Sequence, residues 1–221
     1  MRHTFRVAQH ADDGQRWSEE LVKRVGAAVK NARGTKSAKW LSDRTAQLGY
    51  RISPTVIAKL DSGHRGNVLS IPELFVLAAA VDIPPALLLF PDYPDGSVEL
   101  LPGRDAGNRM AVKWLSGSEP LMEINDDGAA EISPPNAGTD LVGAVERLDR
   151  IDGDRMQQLI MANRAATPEE AELTKKLIEE LDRQFSLVER EVTQARFNLW
   201  RNQSDAVAAF LLDTREDEAD A

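Results

Sequence analysis

The chain has 221 residues, 42% of them hydrophobic and 29% charged, with no cysteine and a formal net charge of −9. That length suits one large domain or two small ones with a buried core, and the missing cysteine excludes disulfides, thiolate zinc sites and thiol nucleophiles. Only three histidines are present, His3, His10 and His64; all lie in the first third, so no metal cage or Ser-His-Asp triad is expected, and neither a metal nor another cofactor.

Residues 1–14 carry no period and read as a flexible leader. From Ser18, Leu21, Val22, Val25, Ala28 and Val29 recur at steps of three and four, marking an amphipathic helix that Gly34 stops. Ser37 can cap the backbone N–H of Lys39 or Trp40, opening a second helix through Trp40, Leu41 and Leu48 to Gly49. Ser53 as N-cap and Pro54 at the first helical position start a short third helix that ends at Asp61-Ser62-Gly63. Its inward residues are Ile57 and Leu60, leaving Thr55, Val56, Ala58 and Lys59 to point elsewhere. Ser70 opens a fourth helix with Leu74, Phe75, Leu77, Ala78 and Val81 inward, and Pro84-Pro85 a fifth, Ala86 to Phe90.

The expected fold is therefore all-α, with a five-helix domain over residues 15–92. Residues 93–138 read as a Pro/Gly-rich connector holding one small helix around Met110, Ala111, Trp114 and Leu115, with a short strand at Val98 to Leu101. Residues 139–212 are expected to be helical and to dimerise. Leu141, Val145, Leu148, Ile151, Met156, Leu159 and Ile160 mark one helix, bent at Gly153. Thr167-Pro168-Glu169-Glu170 is a capping-box start for the next. Along it Ile178, Phe185, Val192 and Leu199 fall seven apart, alternating with Leu181, Val188 and Ala195, a coiled-coil seam. The seam serves either a homodimer or an antiparallel hairpin with the preceding helix. The acidic tail, 213–221, is expected to be disordered.

The net charge averages two unlike regions. Residues 1–66 hold thirteen Lys/Arg and six Asp/Glu, a net of +7, and residues 67–221 a net of −16. A basic helical end joined to an acidic body points to a nucleic-acid partner. The longest apolar run, Phe75 to Val81, is too short to span a membrane, and a cytoplasmic location is expected.

A helix that reads the DNA major groove is short, presents its N-terminal side chains to base edges, and is braced by a preceding helix whose start meets the backbone. Ser37-Ala38-Lys39-Trp40-Leu41-Ser42 and Ser53-Pro54-Thr55-Val56-Ile57-Ala58-Lys59-Leu60 supply both parts. Leu41 and Ile57 form the buried contact, and Ser42 provides a small residue at the crossing. These segments, with Asp61-Ser62-Gly63, Ser70-Ile71-Pro72-Glu73-Leu74 and Val81-Asp82-Ile83-Pro84, resemble the Xre-type helix-turn-helix regulators, whose DNA-binding domain is the five-helix fold of lambda-like phage repressors. Arg44-Thr45-Ala46-Gln47-Leu48-Gly49 and Pro84 to Pro91 look like the variant common in actinobacterial and actinophage regulators. The resemblance covers about Ser18 to Asp92 and implies a transcriptional repressor of the phage-immunity type, bound to double-stranded DNA. It implies base contacts from Thr55, Val56, Lys59 and Arg65, and phosphate contacts from Lys36, Ser37, Lys39, Arg51 and Ser53. One departure is plain: Thr45 to Ile52 adds about one helical turn to the usual tight connection.

Two other readings are weaker. Self-cleavage at Ala106-Gly107 or Ala137-Gly138 needs a serine activated by a lysine in a mostly β domain, whereas only Ser186, Ser204, Lys175 and Lys176 follow Gly138, all on helical sequence; no enzyme is expected. An antitoxin or DNA-anchored adaptor would use the C-terminal helices to bind another protein.

Overall fold

The computed structural model describes residues 11–124, 130–132 and 136–219. The order of elements is α1 (Ala11–Arg33), α2 (Ala38–Gln47), α3 (Pro54–Asp61), α4 (Ile71–Val81), α5 (Pro85–Leu89), β1 (Ser97–Leu101), β2 (Arg104–Gly107), α6 (Asn108–Ser116), β3 (Met122–Ile124), β4 (Ala130–Ile132), α7 (Ala137–Ala162) and α8 (Pro168–Ala219). The described residues are mostly helical, with two small antiparallel hairpins, β1–β2 and β3–β4. They divide into two compact units, Met1–Leu115 with Leu121–Ser133, and Ser116–Pro120 with Pro134–Ala221.

Helix starts in the first unit follow their serines. Ser37 accepts from the Trp40 N–H, Ser53 from the Val56 N–H, and Ser70 from the Glu73 N–H, satisfying donors that a first turn leaves open. At Ser70 the Glu73 carboxylate also accepts from the Ser70 N–H, closing a capping box. The five helices then bury one core of Val22, Val25, Val29, Leu41, Ile52, Ile57, Leu60, Leu77 and Leu88. Two details differ from the sequence reading. Helix α1 begins at Ala11, inside the presumed leader, because Gly14 lies in open space and costs the helix only its own propensity. Phe75 faces solvent at 57% exposure: two residues from the fully buried Leu77, it stands about 200° around the helix from it.

The crossing of α1 and α3 fixes the unit. Gly26 is buried, and a Cβ there would sit 2.4 Å from the Leu60 carbonyl oxygen, so the two backbones touch where no side chain fits. Beyond the core, residues 93–115 are no mere connector. Val98 and Leu100 on β1, Ala106 on β2 and Ala111 on α6 bury a second, smaller core with Phe90. Trp17 on α1 donates to the Glu99 carbonyl at 3.3 Å, and Arg16 pairs with the Glu99 carboxylate at 2.9 Å. The strand expected at Val98 to Leu101 is present and pairs with Arg104–Gly107.

In the second unit Asn136 caps α7, and Thr167 and Glu170 exchange hydrogen bonds across the first turn of α8 as a capping box. Helix α7 continues through Gly153 as one element. Ala171, at the head of the heptad pattern, is exposed, but from Thr174 onward every exposed position of α8 up to Leu199 lies off the seam, while Thr174, Ile178, Leu181, Phe185, Val188, Val192, Ala195 and Leu199 are buried or partly buried. Leu141, Ala144, Leu148 and Ile151 form the matching face of α7. Arg147 to Glu191 at 2.7 Å and Arg155 to Asp182 at 2.5 Å tie the two helices antiparallel. The residues assigned to a dimer seam thus close a hairpin within the chain, because a short loop after Ala162 returns α8 along α7 before a second chain is needed. The acidic segment expected to be disordered is helical to Ala219; extending an existing helix adds a hydrogen bond per residue without a new nucleus, and glutamate is a good helix former.

Gly26→Ala should lower the stability of the full chain by about 1–3 kcal/mol, the range for overpacking a closed contact. Urea titration followed by far-UV circular dichroism measures it, and an unchanged midpoint would mean the crossing yields freely.

Candidate nucleic-acid interface

Helix α3 has eight residues and two faces. Ile57 and Leu60 are fully buried where α3 packs on α1 and α2, whereas Thr55, Ala58, Lys59 and Ser62 are exposed on the opposite side. Val56 was expected to point outward with them, but it is partly buried and packs on the core; at one residue from Ile57 it falls on the edge of the buried arc. The exposed ridge therefore consists of a hydroxyl, a methyl-sized side chain, an ammonium and a second hydroxyl.

Helix α2 packs on α3, and Leu41 and Ile57 belong to the same core. Leu41, Ile57 and Ser42 have no exposed surface. The Ser42 Oγ has no hydrogen-bond partner among the described residues.

The connection between α2 and α3 is organised by Thr45, which is completely buried. Its hydroxyl donates to the Ser42 carbonyl at 2.9 Å and accepts from the Ile52 N–H at 3.0 Å, while its own carbonyl accepts from the Tyr50 N–H at 3.1 Å. Gly49 takes φ +87°, a conformation that side-chain-bearing residues avoid. The connection Leu48-Gly49-Tyr50-Arg51 is thus pinned to α2 through the Tyr50 and Ile52 N–H groups. Leu48 and Tyr50 stay exposed at 43% and 45%.

A buried guanidinium joins the other end of α3 to the start of α2. Arg33, at the end of α1, makes two hydrogen bonds to the Asp61 carboxylate, at 2.8 and 2.5 Å, and donates from Nε to the Lys36 carbonyl at 2.9 Å. Both side chains are nearly buried. One group therefore sets where α3 ends and where the cap of α2 begins, and bidentate geometry makes that placement specific.

The expected phosphate ligands are arranged around these helix starts. Lys36 and Lys39 are exposed, and the Lys36 ammonium lies 4.2 Å from the Trp40 ring centroid, a cation–π contact. Ser37 and Ser53 use their side chains as caps. Arg51 is exposed and makes only a 3.4 Å contact to Asp43, a pair worth little in water.

Arg65 does not join the ridge. Its side chain is 11% exposed and donates to Glu73 at 2.6 Å, so the expected base contact is instead an internal ion pair that anchors the loop after α3 to the start of α4. Local sequence could not reveal this, because Glu73 also has a role in its own capping box. Burial works to raise the Glu73 carboxyl, but hydrogen bonds from Arg65 and from the Ser70 N–H and hydroxyl outweigh it and hold the carboxyl below its ordinary value. Among the described residues no group of acids and histidines could hold a metal ion, and no helix is long and apolar enough to cross a membrane. Lys175, Lys176 and Ser186 all lie on the exposed side of α8.

Comparison with protein families, with curated proteins and with solved structures gives no match.

A carboxyl whose folded-state pKa is depressed stabilises the fold fully above its unfolded value, near 4.3, and loses that contribution as the pH falls through the folded value. The stability lost in Glu73→Gln should therefore be constant from pH 7 to about 5 and shrink below that range, as read by denaturant titration at each pH. Arg65→Ala should destabilise the fold over the same range; an unchanged stability would mean that the Arg65–Glu73 pair does not anchor the loop.

Proposed function

We propose that the chain is a sequence-specific double-stranded-DNA-binding transcriptional regulator, a repressor of the phage-immunity type acting as a homodimer. The observation that carries this reading is the exposed ridge of α3, braced from behind by a buried Leu41–Ile57 contact and flanked by two serine-capped helix starts and by Lys36, Lys39 and Arg51. In the reading, α3 enters the major groove. Thr55 and Lys59 face base edges, where a hydroxyl accepts or donates and an ammonium donates to guanine O6 or N7. The helix starts offer N–H groups to phosphate oxygens on either side. The net +7 of residues 1–66 supplies the counterion-releasing contacts, and the acidic remainder favours keeping that part away from the duplex.

Self-association falls to the outer surface of the α7–α8 hairpin, since its seam is occupied. Leu173, Leu177, Leu187 and Phe197 are 43–62% exposed on α8, more apolar surface than a solvated helix needs. The same side chains favour the second reading, in which the hairpin binds a different protein, as in an antitoxin or a DNA-anchored adaptor. Sedimentation equilibrium of the full chain separates the two. A dimer that dissociates in Leu177→Glu supports the homodimer, and a monomer at all concentrations supports the adaptor.

Selection of duplexes from a random pool, followed by fluorescence anisotropy, tests the main reading. The parent should enrich a defined motif, with affinity falling steeply as salt rises. Lys59→Ala should weaken the selected duplex by about 1–3 kcal/mol and relax preference at one position, leaving the melting temperature in place. A pool that yields no motif would overturn the assignment.

A further inference from the structure

We infer that the turn joining α2 to α3 is itself a rigid DNA-backbone anchor, in which the Tyr50 hydroxyl and the Arg51 guanidinium take phosphate oxygens beside the groove that α3 enters. This rests on the DNA-binding reading above and adds Tyr50, which that reading does not use.

The added turn could have been a loose surface loop, but two of its N–H groups, those of Tyr50 and Ile52, donate to the fully buried Thr45, and Gly49 takes a positive φ. The entropy of ordering Leu48 to Arg51 is therefore already spent in the free protein. What the turn presents after that ordering is unusual for a solvated loop. An aromatic residue is left nearly half exposed, its hydroxyl without a hydrogen-bond partner among the described residues, directly before an exposed arginine. Tyrosine carries a phenolic O–H on a body with few rotatable bonds, and phosphate oxygens accept from such groups routinely. Arg51 has only the weak, water-exposed contact to Asp43 to give up, whereas a phosphate offers a bidentate acceptor.

Placement agrees with this chemistry. Tyr50 is three residues before the cap Ser53, so its Cα lies within about 10 Å of the first turn of α3, comparable to the ~12 Å width of the major groove. A helix seated in that groove has phosphates along both edges, and a residue fixed just ahead of its N-terminus is within reach of one of them. A neutral hydroxyl and a cation side by side would also split the work. Arg51 contributes the salt-dependent part of the affinity and Tyr50 a directional hydrogen bond that fixes the entry angle of α3 without reading sequence.

The test uses the full chain with two fluorescent duplexes of equal length, one carrying the selected motif and one scrambled, titrated at several salt concentrations. Tyr50→Phe keeps the ring and removes only an exposed hydroxyl. It should weaken both duplexes by the same factor, roughly three- to tenfold for one hydrogen bond, with an unchanged slope of log affinity against log salt. Arg51→Gln should reduce that slope by about 0.9. Unchanged affinity of Tyr50→Phe for both duplexes would overturn the anchor, as would a loss confined to the selected motif, which would make Tyr50 a base reader. Absence of salt-dependent binding by the parent to any duplex would overturn the DNA-binding reading and the anchor together.

Discussion

The place where α1 and α3 touch backbone to backbone decides most of what the first unit can do. At Gly26 no side chain separates α1 from the Leu60 carbonyl, so α3 lies deeper against α1 than any other residue would permit. That depth lets a helix of only eight residues bury Ile57 and Leu60 completely and still turn its other face to water. Seven residues farther along α1, Arg33 grips Asp61 and the Lys36 carbonyl, which converts a close packing contact into a fixed angle. A buried ion pair is weak evidence for stability as such, since desolvation offsets much of its attraction. Here its use is geometric. It links the last turn of α3 to the loop that launches α2, and the two helix starts proposed to meet phosphate inherit their spacing from it.

How much of this could be read from the chain follows the range of each interaction. The starts of α2, α3, α4 and α8 were legible because a cap is decided within four residues: Ser37, Ser53, Ser70 and Thr167 each bond to the turn they open. Ile57 and Leu60 on α3 were legible from helical period alone, whereas Val56, at the edge of that arc, was not. Gly26 was not, because a glycine within an amphipathic run looks like a mild flaw until its neighbour across space is known. Arg65 was misread for the same reason: its partner Glu73 is eight residues away and on another helix. The heptads of α8 were correct as a pattern and silent on whose helix fills them, since a seam of Ile178, Phe185, Val192 and Leu199 suits a partner from either chain.

Residues 93–115 were the least legible part, and the cause is composition. Short strands interrupted by Pro94, Pro102 and several glycines lack the alternation that announces a sheet. Their order comes from tertiary contacts instead. Glu99 is the centre of these. Its carboxylate accepts from the Gly103 N–H across the hairpin turn and from Arg16 on α1, and its carbonyl accepts from Trp17. Burial alone would raise that carboxyl; the Gly103 N–H and Arg16 together hold it low. One acidic side chain thus closes the hairpin and fastens it to the first helix.

Leu89 belongs to both apolar clusters of the first unit, packing beneath the helices on one side and against Phe90 and the hairpin on the other. Its carbonyl also accepts from Arg24 in the middle of α1. A shared residue of this kind makes the two clusters one thermodynamic body: opening the hairpin exposes apolar surface that the helices also need covered. Amide hydrogens in β1 and in α1 should then exchange through the same large opening rather than through separate local ones. For the helices proposed to face DNA, the β-hairpin serves as a thermodynamic ballast set at the far end of α1, raising the cost of fluctuation without approaching α3.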